Sequence, residues 1–280
     1  MSKRIVVGLD GSPYATAATE AAIERARRSR GTVVGVAVID TPGIEHSEVG
    51  AGPGAAHMAG SLMDEKLADA KQRTRQFLIR FGNQCKQAGV SFELAREEGA
   101  PFDVLIEVGR SSDLIVVGLE TYFHFETSGE PGDTVSRLLR NPVTPVLGVP
   151  ETWVSPQQVL ITYQHQLHSA RALTAFVHQH NLAPFADEIH LLHVDDGEDP
   201  EVWKRDLEQA ENYLKSYGIS VTCETRKGSV GEVLLKAAHE LEPCMVVLGV
   251  PQRNWLKDLF GESLTDTLLR ERRIPVFAYQ

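Results

Sequence analysis

Residues 113–149 begin DLIVVG and end TVSRLLRNPVTPVLGV, and residues 244–278 begin CMVVLG and end SLTDTLLRERRIPVFA. In both stretches a short apolar run ends in glycine, at Gly118 and at Gly249. A polar loop, an amphipathic helical segment and a β-type run introduced by proline follow in that order. The two glycines lie 131 residues apart in the chain and the two prolines 130. The chain therefore contains an internal duplication of one α/β unit.

The bulk composition sets the class of protein and the kinds of partner. A chain of 280 residues is long enough for two hydrophobic cores. Its 42% hydrophobic and 24% charged residues are typical of a globular protein in water. The formal net charge of −10 disfavours a nucleic acid partner, because phosphates would be repelled.

Cysteine usage and the apolar runs predict the compartment. The three cysteines form no CxxC pair, which indicates small thiols in a reducing environment. The N-terminal apolar run is broken too soon for a signal peptide, and no stretch approaches 18 apolar residues. We therefore expect a cytoplasmic protein with no membrane partner.

Strand-like and helix-like segments alternate through residues 1–150 and again through 156–280. This order predicts two α/β domains, each with a mostly parallel sheet covered by helices on both faces. Residues 41–60 hold two prolines and several glycines and are predicted to form a flexible loop, either mobile or covering the first pocket, before a long helix over 61–88. Ligands of such sheets bind beyond the carboxyl ends of the strands.

Three stretches carry a resemblance to a known family. IVVGLDGSPYA (residues 5–15), GAPFDVLIEVG (99–109) and LIVVG…RLLRNPVTPVLGV (114–149) resemble the hallmarks of universal stress proteins, in the tandem form with two domains in one chain. The resemblance implies two doubly wound domains, each a five-stranded sheet of the adenine nucleotide alpha hydrolase-like type. Because family members pair through their last strand, it also implies an intramolecular pseudo-dimer of the two domains, with a further homodimer as an open alternative.

Some family members bind ATP through an Asp after the first strand, a Val at the end of the second and a loop of pattern G-x2-G-x9-G-[ST]. In the first half the resemblance places Asp10, Val38, Gly118 and Gly132 at these positions. Glycines let backbone N–H groups approach phosphate closely. This loop departs from the pattern, because its second glycine is replaced and the hydroxyl position holds Asp133. A carboxylate there repels a triphosphate unless Mg²⁺ bridges the charges.

The second half departs further from the ATP-binding pattern. The same alignment places Tyr163 and His193 at the positions of the Asp and the Val, the purine end of the site, and Gly249 and Ser263 in the loop. Its third glycine is replaced by Glu262, which makes the loop more acidic. We therefore expect a remnant pocket in the second half and a better, incomplete nucleotide site in the first. A carboxylate that bends toward the phosphate position would favour a purely structural role for the pocket, whereas one turned outward would favour nucleotide binding.

Other constellations carry little chemistry. Six histidines cluster between residues 165 and 193, and His165, His193 and Asp195 present the one arrangement that resembles a zinc or copper site, although hydrogen-bonded histidines are the simpler interpretation. We assign no metal site. Asp40 and Asp195 follow the second strand of each half and are predicted to cap loops. The chain contains neither G-x-S-x-G nor G-x4-G-K-[ST].

The sequence thus predicts a universal stress protein that is not an enzyme and acts as a stress-response binding or regulatory module. The alternative is an adenine nucleotide sensor that binds ATP in the first half, with Mg²⁺ if a triphosphate is bound and at most slow hydrolysis. A third hypothesis is a scaffold in which both pockets are vestigial.

Overall fold

A ten-stranded sheet runs through the computed structural model, which describes residues 3–47, 56–125, 127–179, 188–195, 197, 199–251 and 264–280. The elements of the first half are β1 (Arg4–Leu9), α1 (Pro13–Ser29), β2 (Thr32–Ile39), α2 (Thr41–Ser47), α3 (Ala56–Ala88), β3 (Ser91–Glu98), α4 (Pro101–Gly109), β4 (Leu114–Gly118), α5 (Thr134–Arg140) and β5 (Val146–Val149). The elements of the second half are β6 (Gln158–Thr162), α6 (Leu167–Gln179), β7 (Glu188–Asp195), α7 (Pro200–Ser216), β8 (Val221–Lys227), α8 (Val230–Glu240), β9 (Cys244–Gly249), α9 (Leu264–Glu271) and β10 (Val276–Tyr279).

The strand order shows how the two halves join. It is β3-β2-β1-β4-β5-β10-β9-β6-β7-β8, so each half contributes five strands and the second order mirrors the first. Neighbouring strands within a half are parallel, whereas β5 and β10 are antiparallel. Val276 lies opposite Gly148, and Ala278 lies opposite Val146. The last strand of each half thus forms the junction, as the family resemblance implies.

The structure confirms the predicted α/β fold and corrects one segment. The predicted loop over 41–60 is wrong at both ends, because α2 occupies residues 41–47 and α3 begins at residue 56. Residues 48–55 lie outside the described part of the chain. Pro42 does not prevent a helix, since proline is tolerated in the first turn, where its missing N–H has no intrahelical partner.

Side chains from both halves share one buried core on each face of the sheet. On one face Leu147 of β5 and Phe277 of β10 lie in the same buried cluster, and on the other face Val146 and Val276 do. The rings of Phe277 and Phe176 meet edge to face with centroids 5.4 Å apart. Burying apolar surface across the junction binds the halves more firmly than the short β5–β10 ladder would alone.

Local signals fix the start of α1 and the path of the linker between the halves. Ser12 caps α1, because its hydroxyl accepts the Ala15 N–H at 3.1 Å. Glu24 of the same helix accepts the Trp153 indole N–H at 2.7 Å and the Ser155 hydroxyl at 2.6 Å. The linker is therefore held on the surface of α1. None of the described helices is long and apolar enough to cross a bilayer.

We expect the Phe277→Ala variant to lose about 3–5 kcal/mol of unfolding free energy, because the ring is fully buried at the junction of the two halves. Urea denaturation followed by circular dichroism measures this loss. The control is Ile79→Ala, at a side chain that is 52% exposed, for which we expect a change below about 1 kcal/mol. Equal losses in the two variants would contradict a shared core at the junction.

Candidate functional site

Asp10 lies where the sequence places it, just beyond β1, and its buried carboxylate accepts three hydrogen bonds. One oxygen accepts the Ser12 N–H at 2.9 Å and the Ser12 hydroxyl at 2.6 Å, and the other accepts the Tyr122 N–H at 2.6 Å. Leu9 lies opposite Ala37 in the sheet, so the next residues, Asp10 and Val38, lie side by side. Burial raises the pKa of Asp10, and the hydrogen bonds from Ser12 and Tyr122 oppose that rise.

The loop between β4 and α5, residues 119–133, folds over the carboxyl ends of β1 and β2. The Phe123 ring is buried against Gly8, where an added Cβ would lie 2.9 Å from its tip. His124 is hydrogen bonded through Nδ1 to the buried Asp40 carboxylate. Val38 is fully buried in the same cluster as Phe123. Phe123 and His124 of this loop therefore lie against β1 and Asp40, next to the purine-binding position predicted from the sequence.

The two predicted loop glycines have packing roles. A Cβ at Gly118 would lie 2.4 Å from the Tyr14 Cβ, so the absence of a side chain lets the end of β4 approach α1. A Cβ at Gly132 would lie 2.7 Å from the His124 ring, and the Gly132 N–H donates to the Thr121 carbonyl at 2.7 Å. The loop is therefore joined by a backbone hydrogen bond between Thr121 and Gly132, which stand at the second and third glycine positions of the ATP-binding pattern.

A polar contact also ties this loop to the second half. Glu120, whose side chain is 8% exposed, pairs with Arg272, which lies just after α9. The other carboxylate oxygen of Glu120 accepts the Tyr122 hydroxyl at 2.5 Å, and that hydrogen bond raises the pKa of Tyr122 to about 12. The second half thus supplies a cation next to the first half's site.

The remnant pocket of the second half brings its two predicted purine-end residues together. His193 is 1% exposed, and its Nδ1 lies 3.3 Å from the Tyr163 carbonyl oxygen. Trp203 of α7 stacks on the His193 ring, with centroids 4.7 Å apart and planes 17° apart. Burial is the main cause that raises the pKa of Tyr163, and Asp206 adds to it. An aromatic pair therefore covers the ends of β6 and β7.

The other residues predicted for the site of the second half are not brought together with Tyr163 and His193 in the described part of the chain. Gly249 packs on α6, where a Cβ would lie 2.5 Å from the His168 backbone. Ser263 and Glu262 lie outside the described residues. His165 pairs with Asp206 and not with His193. Across the described ranges, no three His, Cys, Asp or Glu side chains form a group that could hold a metal ion.

The two predicted loop caps are confirmed. Asp40 accepts the Gly43 N–H at 3.1 Å at the start of α2, and Asp195 accepts the Gly197 N–H at 3.0 Å. Asp40 has a second contact, with His124, that its position in the sequence does not reveal. A backbone cap and a side-chain partner together explain how this carboxylate remains buried.

Sequence reasoning missed several groups beside the first site. Tyr122, Phe123 and His124 stand in a segment aligned as a phosphate loop, and the run of aromatic residues in a polar loop was the available signal. Arg272 could not be anticipated as a neighbour of Glu120, because their contact depends on the antiparallel junction of the two halves.

Comparison with known proteins identifies the class. The model of the universal stress protein family matches residues 1–150 and 157–280. The chain therefore belongs to the universal stress protein family, in its tandem two-domain form. No curated protein sequence matches it.

Two solved structures share the fold over the full chain. A universal stress protein from Archaeoglobus fulgidus DSM 4304 superposes with a TM-score of 0.66 at 17% identity, covering 98% of this chain and 95% of that chain. A putative universal stress protein from Pseudomonas aeruginosa UCBPP-PA14 gives 0.59 at 14% identity, covering 99% and 92%. At these identities the likeness concerns the fold alone.

The Asp10→Asn variant tests the burial of the carboxylate. A pKa raised above the ordinary 3.8 means that the folded state binds the proton more tightly than the unfolded state. Asp10 therefore contributes most stability below about pH 3.8 and loses it as the pH rises through the raised value. The unfolding free energy of the wild type minus that of Asp10→Asn should fall over this window and then level. Urea titrations at several pH values measure it, and a difference that grows with pH would contradict the assignment.

The Arg272→Ala variant tests the contact between the halves. Removing the cation leaves a buried carboxylate with only the Tyr122 hydroxyl, which should cost roughly 1–2 kcal/mol after allowance for the 53% exposure of Arg272. The matched control is Arg110→Ala, whose pair with Glu107 is exposed on both sides and should matter by less than about 0.5 kcal/mol. Urea denaturation compares them, and equal losses would refute a stabilising contact.

Proposed function

We propose that this universal stress protein is a non-catalytic binding or regulatory module of the stress response, built from two similar halves. The observation that supports the proposal is the fold of residues 119–133 over the ends of β1 and β2. Phe123 packs against Gly8, the Tyr122 N–H binds Asp10, and His124 binds Asp40. These contacts engage Asp10, the predicted purine-binding carboxylate, and hold the loop against the strand ends beside it.

The energetic cost of opening this site supports the same proposal. A purine that took the place of the Tyr122 N–H on Asp10 would leave that N–H without its partner, and each buried polar group left in this way costs about 1–3 kcal/mol. A purine that displaced Phe123, which is 1% exposed, would also expose its apolar ring to water. Several such costs together oppose ligand binding in the first half.

The proposal that the protein is not an enzyme follows from the roles of the polar groups at this site. Asp10 holds the backbone at the start of α1 and at Tyr122. Asp40 holds α2 and His124. Side chains that hold loops in place contribute stability, whereas a general base must reach the proton that it removes.

A second candidate is an adenine nucleotide sensor in the first half, and two observations favour it. Asp10 and Val38 retain the adjacent placement that the resemblance implies for a purine site. Asp133 is solvent-exposed, and its side chain caps no helical N–H, so its repulsion of a triphosphate would be weakened by water. This candidate requires the 119–133 loop to lift from the ends of β1 and β2.

An ATP titration separates the two candidates. Thermal shift with and without Mg²⁺ would report about 2.7 kcal/mol of stabilisation at 1 mM ATP for a dissociation constant near 10 μM. We expect less than about 0.4 kcal/mol, which corresponds to a dissociation constant of about 1 mM or weaker. Mass spectrometry of the natively purified protein is expected to detect no stoichiometric adenine nucleotide.

If ATP stabilises the wild type, the Asp10→Ala variant tells whether the nucleotide binds at Asp10. Specific stabilisation by ATP that this variant abolishes would replace the proposal with the sensor candidate. Stabilisation that Asp10→Ala preserves would place the nucleotide elsewhere in the protein and would contradict the sensor candidate's site at Asp10.

A further inference from the structure

The duplication allows corresponding positions in the two halves to be compared. Gly118 packs on Tyr14 of α1, and Gly249 packs on His168 of α6, so α6 residues carry numbers 154 higher than their α1 counterparts. A second pair of contacts agrees with this offset. Arg25 lies 3.8 Å from the Met245 sulfur in the second half, and its counterpart, Gln179, donates to the Asp113 carbonyl in the first at 2.6 Å.

In the first half, the linker occupies one flank of α1. Trp153 and Ser155 donate to the two carboxylate oxygens of Glu24 at 2.7 and 2.6 Å. Trp153 and Glu20 line the same surface groove, and Glu20 lies one turn before Glu24 on α1. The segment after β5 thus shows what this flank of the helix accommodates: an irregular peptide segment with an aromatic side chain.

In the second half, the corresponding flank of α6 is an open cavity of about 550 Å³. Thr174 and His178, the counterparts of Glu20 and Glu24, line it, and Tyr279 of β10 forms another wall. Its other lining residues are Val143, Arg171, Ala175 and Gln280. The cavity therefore includes the two α6 positions that correspond to the α1 residues beside the linker.

The chemistry of this flank changes between the halves. The first half presents the carboxylate of Glu24, which suits the indole N–H and hydroxyl of the linker. The second presents the exposed Arg171, whose guanidinium makes no ion pair with any carboxylate in the described part of the chain. Val143, which is 54% exposed, adds apolar surface from the other half. The Arg171 cation and the apolar Val143 side chain together suit a ligand that carries a carboxylate next to an aromatic group.

We propose that the cavity beside α6 docks an irregular peptide segment of a partner protein that bears a carboxylate and an aromatic side chain. Arg171 binds the carboxylate, and the aromatic group lies against Val143 and Tyr279. The inference names a partner class for the proposed binding module and rests on that proposal. It does not depend on the nucleotide site, so a failed peptide titration and a positive ATP titration are distinguishable results.

The test is fluorescence anisotropy with a labelled heptapeptide, PETWVSP, copied from residues 150–156 and amidated at its C-terminus, which carries one carboxylate and one indole. We expect saturable binding to the full chain and roughly tenfold weaker binding to Arg171→Glu, because the charge contact becomes repulsive. The peptide PKTWVSP should show the opposite preference. Arg75→Glu, at an exposed arginine of α3, is the matched control and should bind PETWVSP as the wild type does.

Three outcomes would overturn the proposal. The first is no saturable binding of PETWVSP up to about 1 mM, the weak end of measurable peptide affinity. The second is equal weakening by Arg171→Glu and Arg75→Glu, since the peptide would then respond to overall charge. The third is a wild-type dimer in sedimentation velocity that Arg171→Glu dissociates, which would assign the cavity to a second copy of this chain. Circular dichroism of each variant verifies that it is folded.

Discussion

The antiparallel pairing of β5 with β10 is the constraint on which the rest of the structure depends. It joins two five-stranded sheets into one, continues both hydrophobic cores across the junction and brings α9 of the second half next to the β4–α5 loop of the first. Because each half offers its last strand to the other, the edges of the joined sheet are β3 and β8. Both edge strands carry several charged residues, which discourages pairing with a further sheet.

The first half's site illustrates how a binding position becomes part of the protein's own packing. Asp10 binds a backbone N–H of the loop, and Phe123 is inserted against Gly8. His124 secures the loop at Asp40. These contacts make the loop stabilise the ends of β1 and β2. With the loop packed in this way, Asp10, Phe123 and His124 contribute to the stability of the fold. Stability places different demands on these side chains than ligand binding would.

The fold was predictable because it depends on signals local to the chain: apolar runs that end in glycine, alternating segment types and a repeated phrase. The loop over 41–60 was mispredicted because glycine and proline content outweighed a short helix that packs Ile44 into the core. The site was predictable only in part. Alignment put Asp10 and Val38 at the ends of β1 and β2, where the structure has them side by side. The contacts of Tyr122 and Arg272 arise from loop folding and from the junction, which no local pattern encodes.

The covalent linker has a consequence for how such a protein can change over generations. In a pair of identical subunits every substitution occurs on both sides of the symmetry axis. In this chain one copy can change alone: the counterpart of Arg272, 130 residues earlier, is Pro142, and the counterpart of Glu24 is His178. The contact between Glu120 and Arg272 therefore exists on one side of the molecule without constraining the other. Fusion lets the two halves specialise separately while sharing a single fold.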